Sequence, residues 1–286
     1  MTLSPAGWFG FSPCRLDQPL GTDGELPRLV VGEIFADTAG SNAGRVWVLR
    51  LNATGSVVHT QAIANGVGGM APATLSSFDF LGVSASTDSG DIDGDGLNDV
   101  VAGARGTNAG GAGFGAVYVL YMQADDTARN VVRISRASGE GWDNLPVSLV
   151  GLGQGIAGIP PRSGTNPVDM VVSTFTDTKA VVLFRLAANG SVLGVPEVIA
   201  DGREGVASGS ISGSGGFGDA VYSMGDLDGD GVYEISVGDN GDNEAGSNAG
   251  AVYLFFLNAG SEADAVKSLM KIMPTTGGLD GVAAGD

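Results

Sequence analysis

The sequence predicts an all-β fold, a β-propeller of four-stranded antiparallel blades, and three observations predict it. A block of about 70 residues recurs four times, each copy splits into four strand-sized apolar segments of 4 to 8 residues, and no stretch keeps helical periodicity over 12 residues.

The clearest anchor is Gly44-Arg45-Val46-Trp47-Val48-Leu49. It returns as Gly115-Ala116-Val117-Tyr118-Val119-Leu120, Lys179-Ala180-Val181-Val182-Leu183-Phe184 and Gly250-Ala251-Val252-Tyr253-Leu254-Phe255, at spacings of 71, 64 and 71 residues. Ahead of each copy runs a second anchor: Leu29-Val30-Val31-Gly32, Val100-Val101-Ala102-Gly103, Met170-Val171-Val172-Ser173 and Ile235-Ser236-Val237-Gly238. A third opens each repeat as Trp8-Phe9-Gly10, Phe80-Leu81-Gly82, Leu152-Gly153 or Phe217-Gly218, and the fourth segment ends near Ile63, Ile134, Ile199 and Ile272. Gly, Asn, Asp and Ser turns separate the segments. The chain therefore reads as one domain, 1–286, with repeats at about 1–72, 73–143, 144–208 and 209–286.

A sheet of about 70 residues cannot bury both faces alone, so successive copies must stack face to face, and radial stacking around an axis is a propeller. The last repeat runs into 273–286, which looks like the linker ahead of the other Phe-Gly segments. Two outcomes stay open: a fifth blade follows, making this part of a larger propeller, or Trp8-Phe9-Gly10 docks there and closes a four-bladed ring.

Composition narrows the function. The 286 residues are 43% hydrophobic, enough for a large core, and the 49 glycines are scattered between strand segments. No apolar run approaches the roughly 18 to 20 residues of a membrane span, and 1–17 lacks the basic and apolar regions of a signal peptide, so a soluble chain whose secretory signal is missing from this sequence is expected. With 32 acidic against 14 basic residues, the net charge of −18 disfavours nucleic acid and anionic membranes and favours cations. Cys14 is the sole cysteine, so an intrachain disulfide is excluded, and it reads as a small packed side chain.

Two acidic loops carry the chemistry: Asp91-Ile92-Asp93-Gly94-Asp95-Gly96-Leu97-Asn98-Asp99 and Asp226-Leu227-Asp228-Gly229-Asp230-Gly231-Val232-Tyr233-Glu234. Carboxylates fall at positions 1, 3, 5 and 9, with Gly at 4 and 6. Alternate positions in a tight curl aim oxygens at one centre, and Gly permits the curl. The expected ligand is Ca²⁺, one ion per loop, held by Asp91, Asp93, Asp95, Leu97 and Asp99 and by Asp226, Asp228, Asp230, Val232 and Glu234. An all-oxygen, flexible set suits Ca²⁺ better than Mg²⁺, and the absence of His and Cys argues against softer metals. A helix-loop-helix calcium site would need Glu at position 12, where Ala102 and Val237 stand. The equivalent loops of the first and third repeats keep only Thr22, Asp23 and Glu25, or Asp169, and read as ordinary turns.

These residues resemble the FG-GAP repeats of the integrin α-subunit propeller and its bacterial and protist relatives. The resemblance rests on Phe9-Gly10 and Phe217-Gly218, on the two Asp-rich loops, and on Ala102-Gly103-Ala104 and Val237-Gly238-Asp239. It implies a propeller with loop-bound calcium that stabilises the blades, in proteins working outside the cell in adhesion or ligand binding. Four long repeats without a disulfide depart from the seven shorter, disulfide-bearing repeats of integrins and point to a bacterial or protist surface protein.

Other candidate sites read as structural. His59, the only histidine, sits in an alternating strand, and without a second His or Cys a catalytic triad has few parts. Trp47, Tyr118 and Tyr253 share one repeat position suited to packing. Asn52-Ala53-Thr54 and Asn189-Gly190-Ser191 are glycosylation sequons only in a glycosylating pathway. A non-enzymatic calcium-binding module with a protein or glycan ligand is therefore expected, extracellular or at the cell surface. The alternatives are a self-assembling subunit of a surface layer or filament, or the accessory domain of a secreted enzyme.

Overall fold

Each repeat folds into one antiparallel sheet whose strands follow one another in chain order. The computed structural model describes residues 7–16, 26–38, 40–137, 139–145, 149–162, 168–175, 179–212, 216–260 and 263–274. The first blade comprises β1 (Phe9–Leu16), β2 (Arg28–Glu33), β3 (Arg45–Leu51) and β4 (Val57–Ile63); the second β5 (Ala85–Ser86), β6 (Val100–Ala104), β7 (Ala116–Met122) and β8 (Ala128–Ser135). The third holds β9 (Ile156–Ile159), β10 (Val168–Ser173), β11 (Ala180–Leu186) and β12 (Val192–Ala200); the fourth β13 (Phe217–Gly225), β14 (Glu234–Asp239), β15 (Ala251–Leu257) and β16 (Val266–Ile272). No helix occurs among the described residues, so none there is long and apolar enough to cross a membrane.

The middle strands explain the apolar anchors. Every residue of β6 and β7 is buried, because a blade packed between two others buries both faces and its strands become nearly continuous apolar runs. The outermost strands, such as β8 and β12, mix exposed with buried positions. Three cores result. Val30, Val46 and Val48 pack against Ala102, Tyr118 and Leu120 between the first two blades; Val117 and Val119 against Met170 and Val182 between the second and third; Val171 and Leu183 against Tyr253 and Phe255 between the third and fourth. Trp47, Tyr118 and Tyr253 are all buried, as the packing assignment requires.

Ser12, Ala85, Ile156 and Val221, one from each innermost strand, line a common central channel of ≈ 560 Å³. The four sheets around it make a four-bladed propeller. Cys14 in β1 also borders the channel, and burial pushes its thiol up to about 12.

The opening Leu-Gly segments weld blade to blade. Leu81 bridges Gly44 and donates its N–H to Ala43 O at 3.0 Å; Leu152 bridges Gly115 and donates to Phe114 O at 3.0 Å. The sheets approach so closely that a methyl group at Gly32 would lie 1.8 Å from Gly82 O, and one at Gly103 2.0 Å from Gly153 O. Phe9-Gly10 does not occupy the corresponding place on the fourth blade: Phe9 stays 38% exposed, and a methyl at Gly10 would meet nothing within 4 Å among the described residues.

Gly103→Val therefore forces the second and third blades apart. The urea unfolding midpoint should fall by the equivalent of about 2 kcal/mol or more, and an unchanged midpoint would contradict the packing described.

Candidate metal centre

The second-blade acidic loop follows the short β5 and leads into β6; that of the fourth blade joins β13 directly to β14. Both are wound around their first aspartate. Asp91 Oδ1 accepts the N–H groups of Gly94 (2.7 Å) and Asp95 (3.1 Å), and Oδ2 that of Gly96 (2.7 Å). Asp226 accepts from Gly229 (2.7 Å), Asp230 (3.1 Å) and Gly231 (3.0 Å) in the same pattern. Such winding needs left-handed backbone at two points, which Gly94 (φ 78°), Gly96 (φ 93°), Gly229 (φ 80°) and Gly231 (φ 89°) supply.

The curl gathers carboxylates. One oxygen each from Asp91, Asp93 and Asp99 lie within 4.8 Å of one another, as do those of Asp226, Asp228 and Asp230. Asp95 stands apart from the first group, accepting the Leu97 N–H at 2.9 Å, and Glu234 from the second. Val232 turns its side chain into the core between the third and fourth blades, which leaves only its main chain for the loop.

Position 9 is a buried anchor. Asp99 accepts the N–H groups of Ile92 and Met122, both at 2.9 Å. Burial pushes its carboxyl up to about 7, a rise opposed by those two bonds and reinforced by Asp93 and Asp91. Burial likewise raises Glu234, against the Leu227 N–H it accepts at 2.6 Å, and Asp228, Asp230 and Asp226 add to the rise. Glu234 Oε1 has no hydrogen-bond partner among the described residues, although the side chain is fully buried.

A basic side chain from the outer strand of the same blade faces each cluster. Arg129 of β8 pairs with Asp93 and approaches Asp95 at 3.3 Å. Lys267 of β16 lies 2.7 Å from Asp228 and 2.9 Å from Asp230, lowering the pKa of Asp230 while its own is raised. Sequence reasoning missed both residues. The signal was present, since the same strand position holds Val58 and Leu193 in the repeats whose loops have lost their aspartates.

Those repeats solve the anchor position differently. In the third blade Asp169, expected in an ordinary turn, accepts the Arg162 backbone N–H at 2.9 Å and its Nε at 3.3 Å, and Arg162 also pairs with Glu197. In the first blade the position is Arg28, whose Nε donates to buried Asp126 at 2.7 Å. Arg50 pairs with the same aspartate, and half-exposed His59 approaches it to 3.7 Å. Thr22, Asp23 and Glu25 lie outside the described residues.

The acidic curl, its buried anchor and the flanking apolar strand form one contiguous unit. Residues 84–120 match the FG-GAP repeat. This FG-GAP match runs from the front of the second blade through 91–99 into β7 and bears out the resemblance drawn from the motifs. No curated protein matches the chain.

The raised carboxyls set a pH dependence. A carboxyl whose folded pKa exceeds its unfolded value stabilises the fold below the unfolded pKa and loses that contribution as pH rises through the folded one. For Asp99 the window runs from 3.8 to about 7. In chelator, the melting temperature should be higher at pH 5 than at pH 8; a rise between those values would contradict it.

Proposed function

We propose that this propeller is a calcium-stiffened binding module without catalytic activity, working outside the cell or at its surface. One Ca²⁺ sits in each acidic loop, and the stiffened loops present a surface to a protein or glycan. The observation that carries the proposal is in the fourth blade: three carboxylates within 4.8 Å, beside a fully buried Glu234 whose Oε1 lacks a hydrogen-bond partner among the described residues. A buried carboxylate oxygen without a donor is costly unless a cation completes it. The oxygen-only donor set suits a hard ion. The FG-GAP match over the second-blade loop supports the same reading there, and supports the extracellular setting.

Arg129 and Lys267 fit as competitors of the ion. Each offers one positive charge to carboxylates that a divalent cation engages more strongly, so calcium entry releases the basic side chain from its loop.

A structural subunit of a surface layer or filament is the second candidate role. The unseated Phe9-Gly10 edge favours it.

Calcium at a hundred times its dissociation constant should stabilise the fold by about 2.7 kcal/mol per site, seen as a higher melting temperature that chelator reverses. Calorimetric titration should give two sites, with Asp93→Ala and Asp228→Ala each leaving one. An identical melt with calcium and with chelator would refute the proposal. Lys267→Met should tighten the fourth-blade site severalfold, because the ion no longer displaces an ammonium; weaker binding would show that Lys267 holds the loop open for the ion.

A further inference from the structure

Three joints between blades follow one plan, and among the described residues the fourth is unmade on both sides. At each made joint the opening Leu-Gly or Phe-Gly edge enters a notch on the preceding blade. Leu81 and Leu152 are 0% exposed there, and Phe217 is 3%. The notch walls are equally closed: Val46, Val117 and Val181, at one repeat position, are all 0% exposed.

The fourth blade carries the same notch, with no occupant among the described residues. Val252, at that position, is 40% exposed. Among the described residues, a methyl group at Gly238 would come no closer than 3.7 Å to another atom, and that atom belongs to Ala220 of its own sheet; at the equivalent Gly32 and Gly103 the next blade's carbonyl lies 1.8 and 2.0 Å away. Gly238, Gly250, Val252 and Ile272 line a groove of ≈ 500 Å³, rimmed by Asp219 and Asp239.

The first blade carries the matching edge, equally unmated. Phe9 is 38% exposed and Trp8 60%, and Gly10 faces no described residue within 4 Å. No hydrogen bond joins Phe9 N–H to Ala249 O, the equivalent of the bonds that Leu81 and Leu152 make. On the far face of the first blade, Val31, Trp47 and Leu49 form a small cluster of their own that no fourth-blade residue joins.

We propose that the Gly238–Gly250 notch of one chain receives the Trp8-Phe9-Gly10 edge of a second copy. Notch and edge are the two halves of a contact whose equivalents this sequence makes at three joints, so a second copy is the occupant that the repeat itself points to. The contact is heterologous, each copy keeping one free notch and one free edge, and it generates closed rings or open filaments. It involves none of the acidic-loop residues and stands independently of calcium.

Sedimentation velocity on the whole chain, across about a hundredfold concentration range and both with calcium and with chelator, tests it. Association should rise with concentration in both conditions. Gly238→Val fills the notch without crowding its own sheet, and Phe9→Asp sets a carboxylate against Asp219 and Asp239; each alone should weaken association at least about tenfold. Circular dichroism checks that both variants fold, and Val252→Lys serves as a second notch variant if either does not. Mixed, the two variants should recover a 1:1 complex that stops at the dimer, because one brings an intact notch and the other an intact edge. A wild-type monomer at every concentration overturns the proposal, whether the seam stays open or the chain's own first blade fills it. Variants that assemble as well as wild type, or a mixture that stays monomeric, overturn it equally.

Discussion

Everything in this molecule depends on one sheet lying almost in contact with the backbone of the next. A solitary four-stranded sheet of this composition would leave two apolar faces in water; pressed between neighbours, its middle strands lose solvent entirely, as β6 and β7 do. The approach is set by glycine opposed to main-chain carbonyl, Gly32 to Gly82 and Gly103 to Gly153. Arg50 and Arg185 extend the grip outward at one repeat position, donating to Ala124 O (2.6 Å) and Gly260 O (2.5 Å) on the next blade.

A single buried position shows how one architecture tolerates divergent chemistry. It holds Arg28, Asp99, Asp169 and Glu234 in the four blades, all buried. Each charge is compensated from a different source: a carboxylate of the neighbouring blade for Arg28, two main-chain amides for Asp99, and an arginine from the same loop for Asp169. Glu234 has one amide and an oxygen without a hydrogen-bond partner among the described residues. In the two blades where the buried position is part of an arginine–carboxylate pair, the loop has lost most of its aspartates; in the other two they persist and converge. A buried charge without compensation would cost several kcal/mol, which explains why the loops diverge as units.

The sequence made the architecture readable because the repeat imposes its anchors four times, and β-branched runs bounded by glycine have few alternatives. The curl of 91–99 and 226–234 was equally legible, since carboxylates and glycines alternate there. Arg129 and Lys267 were missed because they sit some 36 to 39 residues downstream, a distance only the strand pairing bridges. The compensation of Asp169 was missed for a related reason: Arg162 looks like any loop arginine until the loop folds back on β10. Nor did the pattern say whether Phe9-Gly10 would be seated, because an edge motif is the same string whether or not a partner receives it.

Cys14 has a quieter consequence. Its thiol, beside the axial channel, is held by burial near a pKa of 12, so at neutral pH on the order of one molecule in ten thousand or fewer carries the reactive thiolate. With no second cysteine in the sequence, no disulfide can form within these 286 residues. These four blades are therefore held together by packing and hydrogen bonds and not by a cross-link.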